Sequence, residues 1–416
     1  PQTVRHDRNR IAGADRRGKR RAEARARAQG ESARWHGRGE ARVPVPDQQS
    51  WLSAAIGVWF TRTMRFATYY FFQTPPGHGH AEVVHRELEQ MVWAEELGFE
   101  RIWLTEHHFT EYGISVDPSL LAVAAAMRTR RARIGLAAAI LPFHDPIRLA
   151  EQLAMADILS GGRLDVGVGR GNRPGEFAGY RIPQVESRER FEEVLAIVVE
   201  AWTKERFSYD GRYHRIPEVS VIPKPLQHPH PPLYMVCVSA DTIEATARRG
   251  LPMLNSLLRG PVEQLVQNRD IYVKAMKQAG RTEAEVTEAL TRWGVSRHIH
   301  VAPTDAQALA EAKEAELWYQ DALRRFLIPE RIEDVHPSLQ PWFRTMAERL
   351  SKIDWETLVA ETLAFGSPET VTKKLQQMQD IGVGELICWM NFGGLSQDRV
   401  HRSMELFARE VMPNFR

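Results

Sequence analysis

The sequence has few features that would require an oxidising compartment or a membrane. Only two cysteines occur in its 416 residues, Cys237 and Cys388, and each lies inside an apolar run. Isolated thiols in apolar runs are typical of buried side chains rather than of a disulfide. No apolar run reaches the roughly 20 residues that a membrane-spanning helix needs. We therefore expect a cytoplasmic protein that does not insert into a membrane.

The signature motifs of several enzyme classes are also missing. The chain has neither a Cys/His zinc pattern nor HExxH, so no metal site is indicated. It has no GxSxG or comparable nucleophile motif. A GxGxxG turn does not follow the first predicted strand, which argues against a doubly wound, dinucleotide-binding sheet.

Positive charge is concentrated at the beginning of the chain. Residues 1–42 hold 13 Lys and Arg against 5 Asp and Glu, whereas the remaining residues hold 42 against 48. An acidic body argues against nucleic acid as a partner. Residues 1–63 are predicted to form a disordered basic extension, because so polar a stretch buries too little apolar surface to fold alone.

A transit peptide and a nucleic-acid-binding tail are two interpretations of this extension. A strand-like run follows Met64 directly, and we therefore favour a third interpretation, translated sequence upstream of the true start.

From Met64 onward, predicted strands and helices alternate. Short apolar runs predict eight strands, at 65–72, 101–104, 133–141, 163–168, 233–238, 252–256, 295–301 and 385–392. Helical spacing predicts helices at 82–97, 118–128, 146–159, 187–202, 241–249, 261–279, 304–326, 368–381 and 397–409. This alternation is typical of an α/β fold, a TIM (β/α)8 barrel with insertions. The insertions are expected at 205–232 and in an irregular stretch at 327–355.

The first candidate site follows the second predicted strand. Residues 102–113 read IWLTEHHFTEYG, so Glu106, His107 and His108 come directly after a short apolar run. Barrels of this type place their chemistry at the carboxyl ends of the strands. Imidazole and carboxylate groups transfer protons near neutral pH. On this stretch alone, polar residues that hold a loop are an equally good interpretation.

Two further strand exits could bind an anion. GVGRGNRPGEF at 167–177 is rich in glycine, which lets backbone approach a ligand, and its Arg170 and Arg173 can bind phosphate. Ser239 and Thr242 lie where a predicted helix begins, and hydroxyls beside free backbone N–H groups suit an anion. Solvated arginines and simple helix capping are the alternative interpretations.

Small and aromatic residues on other strands could line a pocket. Ala137 and Ala138 are small enough for a flat ring to lie against them. Tyr69, Phe71 and Trp389 could line an apolar cavity, although each is also typical of core packing. Together, these strand exits suit a phosphorylated cofactor bound over an apolar pocket.

Several stretches, in order along the chain, resemble the bacterial luciferase-like flavin monooxygenases. They are WLTEHHFTEYG, GLAAAILP, LSGGRLDVGVGRG, PPLYMVCVSADT, GLPML and the terminal VMPNF. The resemblance runs from Met64 to the C terminus. Its EHHF and RG elements are more similar to the catalytic alpha subunit than to its non-catalytic companion.

The resemblance implies a role for each candidate residue. His107 matches a histidine that acts as acid and base in flavin oxygen chemistry, and Glu106 and His108 are expected to orient it. Ala137–Ala138 matches a non-prolyl cis peptide beside the flavin ring. The other implied flavin contacts are Arg170, Arg188, Ser239 and Thr242 at the phosphate, and the backbone of Asn172 and Val238. The stretch 318–342 matches a mobile lid, so a lid insertion is expected near 318–355.

Three positions depart from the luciferase pattern. Gly169 stands where luciferase has a reactive cysteine, Val238 where it has a glutamate, and Asp145 where it has a second histidine. These differences argue against light emission and a long-chain aldehyde, but not against flavin use.

The expected function follows from this resemblance. We expect a monooxygenase that uses O2 and reduced FMN, supplied by a separate flavin reductase, to oxygenate a small apolar organic substrate of the alkanal kind. We expect a homodimer that binds neither metal nor nucleic acid. The alternatives are a deazaflavin (F420)-dependent hydride-transfer enzyme and a non-catalytic luciferase-like subunit.

Overall fold

Eleven strands form the framework of the computed structural model, which describes residues 63–256, 261–352 and 354–415. The predicted extension lies outside the described residues, except for residue 63. The strands are β1 (Arg65–Tyr70), β2 (Arg101–Leu104), β3 (Arg133–Ile140), β4 (Leu164–Gly169), β5 (Phe207–Asp210), β6 (Arg215–Val219), β7 (Leu233–Cys237), β8 (Met253–Ser256), β9 (Gly294–Val301), β10 (Ala364–Gly366) and β11 (Glu385–Trp389).

Eight of these strands close into a parallel barrel. Their order around the barrel is β1-β2-β3-β4-β7-β8-β9-β11, and β11 pairs with β1. The predicted TIM barrel is therefore confirmed, and each predicted strand agrees with an observed one to within three residues. β5 and β6 form an antiparallel hairpin in the predicted insertion after β4, and β10 pairs with the last three residues of β9.

Helices surround the barrel on the part of the chain that the structure describes. They are His80–Glu96, Pro118–Arg128, Pro146–Ser160, Pro174–Gly179, Ser187–Thr203, Ala240–Arg249, Val262–Gln278, Glu283–Thr291, Asp305–Leu327, Gln340–Ser351, Trp355–Thr357, Pro368–Asp380 and Gln397–Leu406. Capping side chains fix several of their starts. Asp117, for example, accepts hydrogen bonds from the backbone N–H groups of Ser119 and Leu120.

Four of the helices in the described residues were not predicted, and two of them show what the sequence concealed. Gln340–Ser351 lies in the stretch predicted to be irregular, where prolines argued against a helix. Pro341, however, occupies the first turn, where a missing N–H costs no hydrogen bond. Glu283–Thr291 was not predicted, although Thr282 and Glu285 form a capping box that the sequence pattern contains.

Buried charges close the amino-terminal end of the barrel. Arg101, at the start of β2, forms ion pairs with Asp165 on β4 and Glu385 on β11. Arg133 holds the same Asp165 through two contacts of 2.7 Å, and Trp103 donates to Glu385 at 2.7 Å. These contacts join strands that are distant in sequence, and each carboxylate has more than one donor.

We predict that Arg101→Met lowers the free energy of unfolding by about 3–5 kcal/mol, because it leaves buried carboxylates without their shared cation. Chemical denaturation followed by circular dichroism measures this loss. The control is Arg206→Met, since Arg206 pairs with Glu218 at an exposed site and its loss should cost less than about 1 kcal/mol. Equal losses in the two variants would contradict the prediction.

Candidate active site

The predicted site residues meet along one arc of the barrel mouth. β2, β3, β4 and β7 are consecutive neighbours in the sheet. His107 follows β2, Ala137 and Ala138 lie in β3, Arg170 follows β4, and Ser239 follows β7. Because the strands are parallel, their carboxyl ends lie on the same rim.

The buried carboxylate of Glu106 connects three parts of this rim. It accepts hydrogen bonds from the backbone N–H of Ile140 at 2.8 Å, and it lies 3.0 Å from Nε2 of His108 and 2.9 Å from Nε2 of His144. Burial would raise the pKa of Glu106, but the hydrogen bonds from His108 and His144 lower it overall. Glu106 is therefore an ionised anchor.

His144 is a site residue that the sequence did not reveal. Burial disfavours its charged form, but the bond to Glu106 outweighs burial and raises the pKa of His144. The neighbouring Asp145, where luciferase has a histidine, accepts the N–H of Arg148 and caps the Pro146–Ser160 helix. A histidine next to a helix start carries no pattern that sequence reasoning could use.

A second carboxylate, Glu176, contacts His107. Its Oε1 lies 3.2 Å from Nδ1 of His107 and accepts the backbone N–H of His108 at 3.0 Å. The sequence predicted that Glu106 and His108 orient the His107 ring, but its carboxylate partner is Glu176. The His108 ring instead bridges Glu106 and the hydroxyl of Tyr180, with 3.0 Å to each.

The environment of His107 favours a neutral imidazole. Burial lowers the pKa of His107, the contact with Glu176 opposes this effect, and the positive charge of Arg173 adds to it. If Nδ1 donates its proton to the Glu176 carboxylate, the ring lone pair lies at Nε2. Among the described residues, Nε2 of His107 has no hydrogen-bond partner. The ring can therefore accept a proton there.

Aromatic rings form a wall beside His107. Phe71 stacks on Trp389 with 3.7 Å between ring centroids and lies 5.4 Å from the His107 ring. Tyr69 donates its hydroxyl proton to the carbonyl of Ala137 at 2.8 Å. Core packing, the interpretation favoured for each of these aromatic residues, is confirmed by their burial, and Phe71 also contacts the His107 ring.

The peptide between Ala137 and Ala138 has the cis geometry that the resemblance implied. The pairing of β3 with β4 shifts register between Leu136 and Ala139, at the same place. Opposite it, a Cβ atom at Gly169 would lie only 3.2 Å from the Cβ of Ala138. The small residues on both strands give a flat apolar shelf at the rim.

Cations and hydroxyls gather where β4 and β7 end. Burial and the nearby charge of Arg188 lower the pKa of Arg170, while Asp241 opposes them. Arg188 lies 3.7 Å from Asp241, and the hydroxyls of Ser239 and Thr242 are 3.0 Å apart. No described residue hydrogen-bonds to the guanidinium of Arg170.

This corner fits a phosphate group. Two guanidinium groups that repel each other lie beside the N terminus of the Ala240–Arg249 helix. There Ser239 accepts the backbone N–H of Thr242, and no described residue accepts those of Ala240 and Asp241. Val238, which precedes the corner, is 63% exposed although it is apolar, and Asn172 is half-buried. Asp241 is the one unfavourable charge, and its contact with Arg188 reduces its effect.

The predicted lid region borders a cleft. After the Asp305–Leu327 helix ends, the chain runs on through residues 328–339. A cavity of about 820 Å³ lies between these segments and residues 174–185. Tyr112 and Phe326 line this cavity and also contact His107, at 5.2 and 5.4 Å between ring centroids. The mobility of the lid stays a prediction.

Two further features concern the part of the chain that the structure describes. No helix there is both long and apolar enough to cross a bilayer. No group of three or more His, Cys, Asp or Glu side chains there is arranged to hold a metal ion.

The chain belongs to the luciferase-like monooxygenase family, whose model matches residues 64–385. The alkanal monooxygenase alpha chain of Photobacterium leiognathi is 27% identical over 362 residues, covering 85% of this chain and 99% of that one. The oxygenase component of the flavin-dependent trigonelline monooxygenase of Acinetobacter baylyi is 25% identical and covers 77% and 87%. An uncharacterized Sinorhizobium fredii protein, y4vJ, is 30% identical over 55% of this chain and 66% of its own.

Solved structures share the fold. Monooxygenase RslO1 from Streptomyces bottropensis superimposes with a TM-score of 0.71, at 28% identity, over 85% of this chain and all of that one. The oxygenating constituent of 3,6-diketocamphane monooxygenase from Pseudomonas putida, in complex with FMN, gives 0.70 at 22%, over 84% and 98%. An F420-dependent secondary alcohol dehydrogenase gives 0.66 at 14%, over 85% and 99%. The last two likenesses concern the fold alone.

We predict that Glu176→Gln lowers the pKa of His107 further, because the negative charge that favours the imidazolium is lost. The midpoint of His107 protonation, followed by NMR of the ring resonances, should move to lower pH. Glu111→Gln is the control, since Glu111 is an exposed carboxylate of the same loop and should leave the midpoint unchanged. An unchanged or higher midpoint in the Glu176 variant would contradict the assigned contact.

Proposed function

We propose that this protein is the oxygenase component of a two-component flavin monooxygenase. It would receive reduced FMN from a separate reductase and use O2 to oxygenate a small organic substrate with an apolar body. The observation that carries the proposal is the rim that joins His107, the Ala137–Ala138 shelf and the two-arginine corner. No described residue hydrogen-bonds to Nε2 of that histidine. The similarity to a flavin-dependent oxygenase component supports it.

The residues of the rim divide the work of binding. Arg170, Arg188, Ser239 and Thr242 would hold the phosphate through charge and hydrogen-bond donation. The shelf would support the flat ring, with backbone contacts from Asn172 and Val238. When bound, reduced FMN supplies the electrons by which one oxygen atom of O2 enters the substrate and the other leaves as water.

His107 would manage the protons of this reaction. Its neutral ring, held at Nδ1 by Glu176, can take up a proton at Nε2 and return it. The rings of Phe71, Tyr112 and Phe326 around it restrict water. Glu106 and His108 would act indirectly, because they fix the loop after β2 on which His107 lies.

The homodimer and the cytoplasmic location stay predictions. Two neighbouring helices, Pro118–Arg128 and Pro146–Ser160, carry exposed apolar side chains, and this supports a second copy as their cover. The exposed side chains are Leu120, Met127, Met155 and Leu159.

We predict that Arg170→Gln weakens FMN binding by roughly 10- to 100-fold, because a charge-assisted contact to the phosphate is lost. Riboflavin, which has no phosphate, should bind the variant and the original protein equally, as measured by fluorescence titration. The exposed Arg148 provides the matched control, Arg148→Gln, which should change neither affinity. A parallel loss of riboflavin and FMN affinity would place the phosphate elsewhere.

The reaction itself is tested with ¹⁸O2. The protein, reduced FMN and a panel of aldehydes, ketones and organic acids are mixed under ¹⁸O2, and products are analysed by mass spectrometry. We expect one labelled oxygen atom per product molecule. His107→Ala should abolish the product while its FMN affinity stays within about threefold, because the ring acts on protons and not on the phosphate.

Two results would overturn this proposal. Anaerobic oxidation of an alcohol with F420 as the acceptor, without ¹⁸O incorporation, would favour the deazaflavin alternative. Full activity of His107→Ala would contradict the role of His107. The intact His107 and Arg170 argue against a non-catalytic subunit.

A further inference from the structure

The guanidinium of Arg173 has no ionic partner in the part of the chain that the structure describes. Its Nε and Nη1 atoms are buried and make no hydrogen bond, and no described carboxylate lies within 4 Å of it. Two arginines on the barrel strands show the contrast. Arg101 and Arg133, for example, each hold a buried carboxylate.

Aromatic rings and the catalytic candidate surround Arg173. Its guanidinium carbon lies 4.9 Å from the ring centroid of Phe326 and 5.8 Å from that of Tyr112. The same two rings contact His107. The positive charge of Arg173 also acts on His107 and on Tyr69, which holds the Ala137 carbonyl. Arg173 therefore lies beside His107, behind two rings that also line the cleft.

A cation in this position needs an anion. Contacts with ring faces offset only part of the hydration free energy that a buried guanidinium loses, and they leave its N–H donors without acceptors. Its planar fork matches a carboxylate, to which it can make two parallel hydrogen bonds. Glu176 does not supply that anion, since its carboxylate is directed to His107 and His108.

We propose that Arg173 binds a carboxylate of the organic substrate, so that the substrate is an organic anion with a flat apolar body. That the bound anion is a substrate rests on the proposed function. Anion binding itself depends only on Arg173 and the rings around it. This subsite differs from the phosphate corner, where Arg170 interacts with Arg188 and Asp241. It replaces the neutral alkanal expected from the sequence.

The subsite has a consequence for His107. The charged and titratable groups that act on this ring are Glu176, Arg173 and His108. A carboxylate bound to Arg173 would offset the positive charge that lowers the pKa of His107. Binding of an organic anion should therefore move the protonation midpoint of His107 to higher pH, which a purely structural Arg173 would not do.

The experiment compares benzoate with its neutral analogue benzamide on the flavin-free protein by isothermal titration calorimetry. We expect benzoate to bind at least tenfold more tightly than benzamide. Arg173→Met should reduce this ratio to less than threefold, and Arg173→Lys should keep part of it, because a point charge remains without the planar fork. The NMR midpoint of His107 should rise with benzoate only in the protein that retains Arg173.

Three results would overturn the inference. One is equal binding of benzoate and benzamide by the unaltered protein, which needs no variant to fold. Another is loss of benzoate preference in Arg170→Met but not in Arg173→Met, which would place the carboxylate in the phosphate corner. The third is an Arg173→Met variant that keeps its benzoate preference and loses affinity for reduced FMN alone, which would assign the charge to the flavin.

These outcomes are independent of turnover. If benzoate discrimination depends on Arg173 while the ¹⁸O2 experiment yields no labelled product, the anion subsite stands and the monooxygenase proposal fails. If labelled products form only from neutral substrates and benzoate is not preferred, the monooxygenase proposal stands and the anion subsite fails. Circular dichroism of each variant checks that the barrel is intact.

Discussion

The carboxylate of Glu106 is the contact on which the mouth of this barrel depends. It binds the last residue of β3 through backbone, and it holds an imidazole from each of the segments that follow β2 and β3. One buried anion thus fixes the exits of two adjacent strands. His107, one residue further on, takes its position from this anchor, whereas burial lowers the pKa of its ring and the contact with Glu176 opposes that effect. Separate groups therefore control where the ring is and whether it is charged.

Much of this architecture could be predicted from the sequence, because it follows local rules. Alternating apolar runs and helical spacing predicted the eight strands and most helices. In a closed parallel barrel all strands end at the same rim, so residues that follow strands, such as His107, Arg170 and Ser239, share it. The cis Ala137–Ala138 bond came from the resemblance alone, since nothing in two alanines signals it.

What could not be predicted depends on contacts between distant segments. Glu176 is 69 residues from His107 in sequence, and its direction is set by the short Pro174–Gly179 helix, which has no apolar period to reveal it. His144 becomes relevant only because β2 and β3 are neighbours. The Gln340–Ser351 helix buries Phe343 and Leu350 at helical spacing, but Pro337 and Pro341 at its start argued against a helix there.

Tyr112 and Phe326 belong to two spaces at once. They stack on each other at 5.0 Å, with one side toward the large cleft and the other toward His107 and Arg173. A molecule that reached the imidazole of His107 from this cleft would have to pass these two rings. Its entry and exit would then depend on rotation of these side chains, a motion of nanoseconds in open surroundings that slows when packing is dense. The two rings would consequently select substrates by size before any substrate reached His107.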